Sequence, residues 1–125
     1  MNVPEHLLYT PDHEWINPET GAIGITDFAQ DQLGDVVFLE VVAEEGADVA
    51  QKDSLGTIES VKTVSDAYAP VSGKVVAVNG ELDGSPELIN ESPYENGWIV
   101  KIELSDRSQL DALLTPAAYK EQIGS

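Results

Sequence analysis

The sequence predicts a small, mainly β fold, a β-sandwich or flattened β-barrel finished by helices. Three observations support this. Apolar residues alternate with polar ones over most of the chain, turn-forming residues interrupt that alternation at short intervals, and the last twenty or so residues switch to helical composition. At 125 residues, one domain is expected to span 1–125, with a core over about 7–104 and C-terminal helices over about 106–123.

His13–Ile16 and Ala22–Thr26 read as strands joined through the turn-rich Asn17-Pro18-Glu19-Thr20-Gly21. Asp27 then stands as a helix cap with Gln30 three residues on, and Gly34 stands where a helix stops. Asp35–Val42 is a strand nearly continuous in apolar residues, turned by Glu44-Glu45-Gly46. Ser54–Ser60 and Thr63–Ala69 form a hairpin with Ser60-Val61-Lys62 at its tip, and Pro70–Gly73 turns the chain into a strand over Lys74–Val78. A polar loop follows, with a helical turn near Pro86–Ile89 and an irregular stretch over Glu91–Gly97. Trp98–Leu104 places Trp98, Val100, Ile102 and Leu104 on one face, with Lys101 and Glu103 on the other. Ser108–Leu114 and Pro116–Ile123 read as short helices, the second capped by Thr115 with Pro116 at its first position.

Six basic residues against 23 acidic ones give a net charge of −17, which repels phosphate backbones and anionic lipid. Neither nucleic acid nor membrane is an expected partner; a soluble monomer meeting basic docking surfaces is. With no cysteine, thiolate chemistry must come from something attached. Residues 1–15 lack Arg and Lys and a long apolar run, so neither a secretion signal nor a transit peptide is expected. The expected compartment is a bacterial cytoplasm or, for the mature form of an imported protein, a mitochondrial matrix. Neighbours on a strand face opposite ways, so Asp12-His13-Glu14 converges poorly on an ion and no metal is expected.

The chain holds only five lysines, and Lys62 sits at the hairpin tip between Glu59 and Asp66, flanked by Ser60 and Val61. An exposed lysine is ordinarily a solvated charge. A tip lysine differs because its amine can enter another protein's active site while the flanking strands stay packed. Acylation there would remove the charge and install a long arm carrying chemistry that a cysteine-free chain lacks.

The stretch IESVK followed by APVSGKV resembles the lipoyl-lysine hairpin of the glycine cleavage system H-protein family. His13-Glu14-Trp15, Gly24-Ile25-Thr26-Asp27, Ala29-Gln30, Leu33–Val37, Asn90–Tyr94 and Gly97-Trp98 follow in family order. Phe28 and Gln32 depart from it, standing where many members have histidine, and the segment Val42–Glu45 lacks the usual proline.

The resemblance implies a barrel-sandwich hybrid fold with lipoate on Lys62, and a non-catalytic shuttle with no catalytic residue of its own. Glycine decarboxylase (P protein) would load an aminomethyl group and aminomethyltransferase (T protein) would remove it. Dihydrolipoyl dehydrogenase (L protein) would reoxidise the arm, and a lipoate ligase or lipoyl/octanoyl transferase would attach it. Glu14 and Asp66 match positions implicated in the cleft that protects the loaded arm. The alternatives are a relay carrier that donates lipoyl groups to 2-oxoacid dehydrogenases, and an acidic adapter or carboxylate enzyme. A biotinyl carrier fits less well, because Val61 and Thr63 stand where that family places methionines.

Overall fold

The computed structural model describes residues 2–124; Met1 and Ser125, the ends of the expected span, lie outside the described residues. The strands are β1 (Leu8–Tyr9), β2 (Glu14–Ile16), β3 (Ala22–Ile25), β4 (Val36–Val41), β5 (Asp48–Val49), β6 (Ser54–Ser60), β7 (Val64–Tyr68), β8 (Gly73–Val78) and β9 (Val100–Leu104). The helices are α1 (Asp27–Leu33), α2 (Glu81–Gly84), α3 (Leu88–Glu91) and α4 (Pro116–Gln122), with a 3-10 helix over Arg107–Ala112.

Two antiparallel sheets result. One has six strands in the order β1-β2-β3-β9-β8-β5, and the other has three in the order β4-β6-β7. Ile16, Ile23, Val75, Val100 and Ile102 from the first meet Leu39, Leu55, Ile58 and Ala67 from the second in one apolar core. Each of these valine, leucine and isoleucine side chains contributes about 1.5–3 kcal/mol on burial, so this sandwich layer holds the sheets together.

A second cluster of Val3, Leu7, Tyr9, Trp15, Ala22 and Tyr119 joins the N-terminal segment to α4. Tyr119 stacks on Tyr9 at 4.6 Å between ring centroids, and Tyr9 exchanges backbone hydrogen bonds with Leu114. Trp15 lies over Gly24, its cross-strand partner, where an added Cβ would come within 2.8 Å of the indole. A glycine is required there by close approach.

Several local expectations are corrected. Thr26, not Asp27, caps α1: its hydroxyl accepts the Ala29 N–H from extended backbone, which leaves Asp27 as the first helical residue. Trp98 does not share a face with Val100 and Ile102. Ile99 and Val100 are both fully buried, so alternation breaks there, and Trp98 packs on the second cluster with the Lys101 ammonium 4.8 Å from its ring. The helical turn expected near Pro86–Ile89 is present and runs into α3, and a second turn not foreseen, α2, precedes it. The helix expected over Ser108–Leu114 is the 3-10 turn, started by Asp106 accepting the Ser108 N–H. Two-residue β1 and β5 gave no sequence signal and exist through pairing with β2 and β8.

Candidate functional site

The β6–β7 hairpin is closed by Ser60, a buried residue at the end of β6. Its hydroxyl accepts the N–H groups of Lys62 (3.2 Å) and Thr63 (3.1 Å), and its own N–H donates to Thr63 O at 2.8 Å. Val61 N–H donates to Asp35 O at 3.0 Å, which ties the tip to the chain leaving α1. Neither Val61 nor Lys62 takes a positive φ, so the turn needs no glycine, and the serine oxygen holds it by accepting the two tip amides.

Lys62 is exposed at this braced tip, and Val61 beside it is 65 % exposed. The lysine stem crosses Gly34, the residue that ends α1. Asn90 fixes that end: its amide donates to Gly34 O and Gln30 Oε1, while its Oδ1 accepts the Val36 N–H. Glu59 is also exposed and stands across from Phe38 and Val64 in the sheet register. Val37 and Phe38 are both exposed because the ladder shifts register between Val36 and Phe38, and Val64 is exposed on the other side of Glu59.

A cleft of about 270 Å³ opens between α1 and the hairpin strands, with His13, Glu14, Phe28, Leu33, Ile58 and Asp66 among its walls. The structure therefore brings Glu14 and Asp66 into one cleft that shares strands β6 and β7 with Lys62. Glu59, Ser60 and Val61 stay on the hairpin and outside that lining. Asp66 is exposed and accepts from Thr57 Oγ1 at 3.1 Å and Tyr68 OH at 3.4 Å.

Glu14 is only 3 % exposed. Burial pushes its carboxyl up to about 7, against the hydrogen bonds from Thr10 and Tyr68. It also lines a second cleft of about 350 Å³, together with Thr10, Asp12, Gln51, Lys52 and Tyr68. His13, at φ 70°, turns its ring to Phe28 and places Nδ1 2.9 Å from Tyr119 OH. Burial holds its imidazole below the ordinary value, with Asp12 acting in the opposite sense. Among the described residues, no group of three or more potential ligands is placed to hold a metal ion. A further depression of about 410 Å³ lies between Asn2 and the Asn90–Glu95 loop and contains no hairpin residue.

Sequence reasoning missed Thr10 and the hydroxyl of Ser60. Thr10 was within reach: Pro11-Asp12 is a turn pair, and a turn there sets residues 10 and 14 side by side.

A family model described as "Glycine cleavage H-protein" matches residues 7–125. Glycine cleavage system H proteins of Staphylococcus carnosus (strain TM300) and Staphylococcus haemolyticus (strain JCSC1435) are each 56 % identical over 126 residues, covering 99 % of both chains. The crystal structure of a glycine cleavage system H protein from Mycobacterium marinum superposes with a TM-score of 0.87. It is 37 % identical and covers 98 % of this chain and 100 % of that one.

Proposed function

The chain belongs to the glycine cleavage H-protein family, and from that premise we propose that it is the lipoyl-carrying shuttle of the glycine cleavage system, with lipoate in amide linkage on Lys62. The observation that carries the site is an exposed lysine on a braced tip whose own strands wall an adjacent cleft. The residues present fit the group. Ile25, Phe28, Leu33 and Ile58 offer apolar wall to a hydrocarbon arm, and Glu14 and Asp66 offer carboxylates to a cationic cargo.

When bound, lipoate supplies a dithiolane that takes up an aminomethyl group and is regenerated by an oxidoreductase. The rest of the work belongs to this chain. Ser60 and Asp35 hold the tip rigid, so the amine is presented to a modifying enzyme without rearrangement of the body. The tether replaces diffusion of a labile group by local delivery, raising its effective concentration at each docked enzyme. The walls of the cleft, Glu14 above all, keep water from the cargo between dockings. Glycine decarboxylase, aminomethyltransferase and dihydrolipoyl dehydrogenase are the partners this role requires, with a lipoate ligase or lipoyl/octanoyl transferase to attach the arm. Turnover of glycine belongs to those partners and not to the carrier.

Intact mass after incubation with a lipoate ligase, ATP and lipoate tests the site. One lipoyl adduct is expected on the wild type and none on Lys62→Arg; an adduct on Lys74 or Lys101 would overturn the assignment. A reconstituted exchange of carbon dioxide with glycine then separates this carrier from a lipoate relay, which would not support the exchange.

A further inference from the structure

Glu14 is held from the protein side at both carboxylate oxygens. Thr10 Oγ1 donates to Oε1 at 2.5 Å, and the Tyr68 N–H donates to Oε2 at 3.3 Å. The same Thr10 hydroxyl accepts the N–H of Glu14 at 3.1 Å, and the Thr10 N–H donates to Glu14 O at 2.9 Å. With that amide pointing at its oxygen, the hydroxyl proton is directed to Oε1. A carboxylate is an acceptor only, whereas a carboxylic acid must carry a proton on one of two oxygens that already receive one. Thr10 is itself buried, at 7 % exposure, so water does not readily substitute for its hydroxyl.

We propose that Thr10 is a positioning residue: its hydroxyl holds the Glu14 carboxyl in place and favours its ionised form against burial, which makes the cleft that Glu14 lines selective for a cationic amine cargo over a neutral group of the same size. This rests on the reading that the loaded arm folds into that cleft. Other groups also face Glu14. Asp12 lies on the turn before it and Lys52 on the β5–β6 connection, while Asp66 and Tyr68 lie on β7. His13 is adjacent in the chain, and Tyr119 of α4 lies close enough to feel the Glu14 charge. Burial favours the neutral acid most strongly, and the Thr10 bond is the largest influence opposing it, ahead of Tyr68 and Lys52. Asp12 adds to the effect of burial.

The test is an NMR titration of side-chain carboxyl carbons in the unmodified full chain, with Glu14→Gln used to assign the signal. Thr10→Val removes the donor at constant shape, Thr10→Ala removes it if valine prevents folding, and Thr10→Ser retains it. The expected result is a Glu14 midpoint raised by about one pH unit or more in Thr10→Val or Thr10→Ala, and restored in Thr10→Ser. An unchanged midpoint in the donor-less variant overturns the proposal, even if Glu14 proves to protect the cargo. A second arm measures hydrolysis of the aminomethyl-loaded form. Faster loss in both Thr10→Val and Glu14→Gln is expected. A raised midpoint with wild-type hydrolysis in both variants would overturn the cargo selectivity by removing the arm-in-cleft reading beneath it.

Discussion

The side chain of Lys62 crosses Gly34, 28 positions earlier in the chain: a Cβ built on that glycine would lie 3.2 Å from Lys62 Cε and 3.7 Å from Nζ. The tip lysine thus rests on the terminus of α1, on backbone that only glycine adopts readily.

Gly34 has φ 80° and ψ −161°, a region almost closed to residues with a Cβ. Gly34→Ala is therefore expected to lower stability by about 1–3 kcal/mol in urea denaturation. Because the lysine stem is flexible and can move aside, lipoylation of the folded variant should persist.

Ser60→Ala removes the acceptor for two tip amides. The expected cost is about 1–2 kcal/mol, with faster hydrogen exchange at Lys62 and Thr63 and slower lipoylation. Unchanged exchange at both amides would show that the tip holds its shape without the hydroxyl.

The raised Glu14 carboxyl makes stability depend on pH. Its folded-state value, about 7, lies above the 4.5 of a free carboxyl, so the folded chain holds that proton more tightly than the unfolded one. The stabilisation is complete below about pH 4.5 and is lost as pH climbs through about 7. Between those limits the wild type is expected to lose up to about 3 kcal/mol relative to Glu14→Gln. Parallel denaturation curves of the two proteins from pH 4 to 8 would contradict this.

Tyr119 OH lies 2.7 Å from Thr26 Oγ1 and 2.9 Å from His13 Nδ1, bonding α4 to both the cap of α1 and the cleft wall. Tyr119→Phe keeps the stack on Tyr9 and loses both bonds. A drop of about 1–3 kcal/mol is expected, because buried Thr26 and half-buried His13 each lose a partner. Thermal denaturation followed by near-ultraviolet circular dichroism measures it.

Much of the fold was legible because its signals are local. The Ser54–Ser60 and Thr63–Ala69 runs, Gly34 after α1, and Thr115-Pro116 before α4 each act through neighbours within a few residues. Lys62 was legible for the same reason, since a tip between two short strands is a property of adjacent residues. Trp98 was misplaced because alternation was extended two residues past the strand, and Ile99 N–H bonding to Ile23 O belongs to a pairing far away in sequence.

What the sequence determined by itself was the run of strands and turns, the hairpin and its lysine, and the family pattern around them. Only the tertiary structure decided that Glu14 is buried against Thr10 and Tyr68 and that Lys62 rests on Gly34. Strand period and caps arise from covalent geometry over a few residues. Burial, proton affinity and cleft shape depend on which distant segments the two sheets bring into contact.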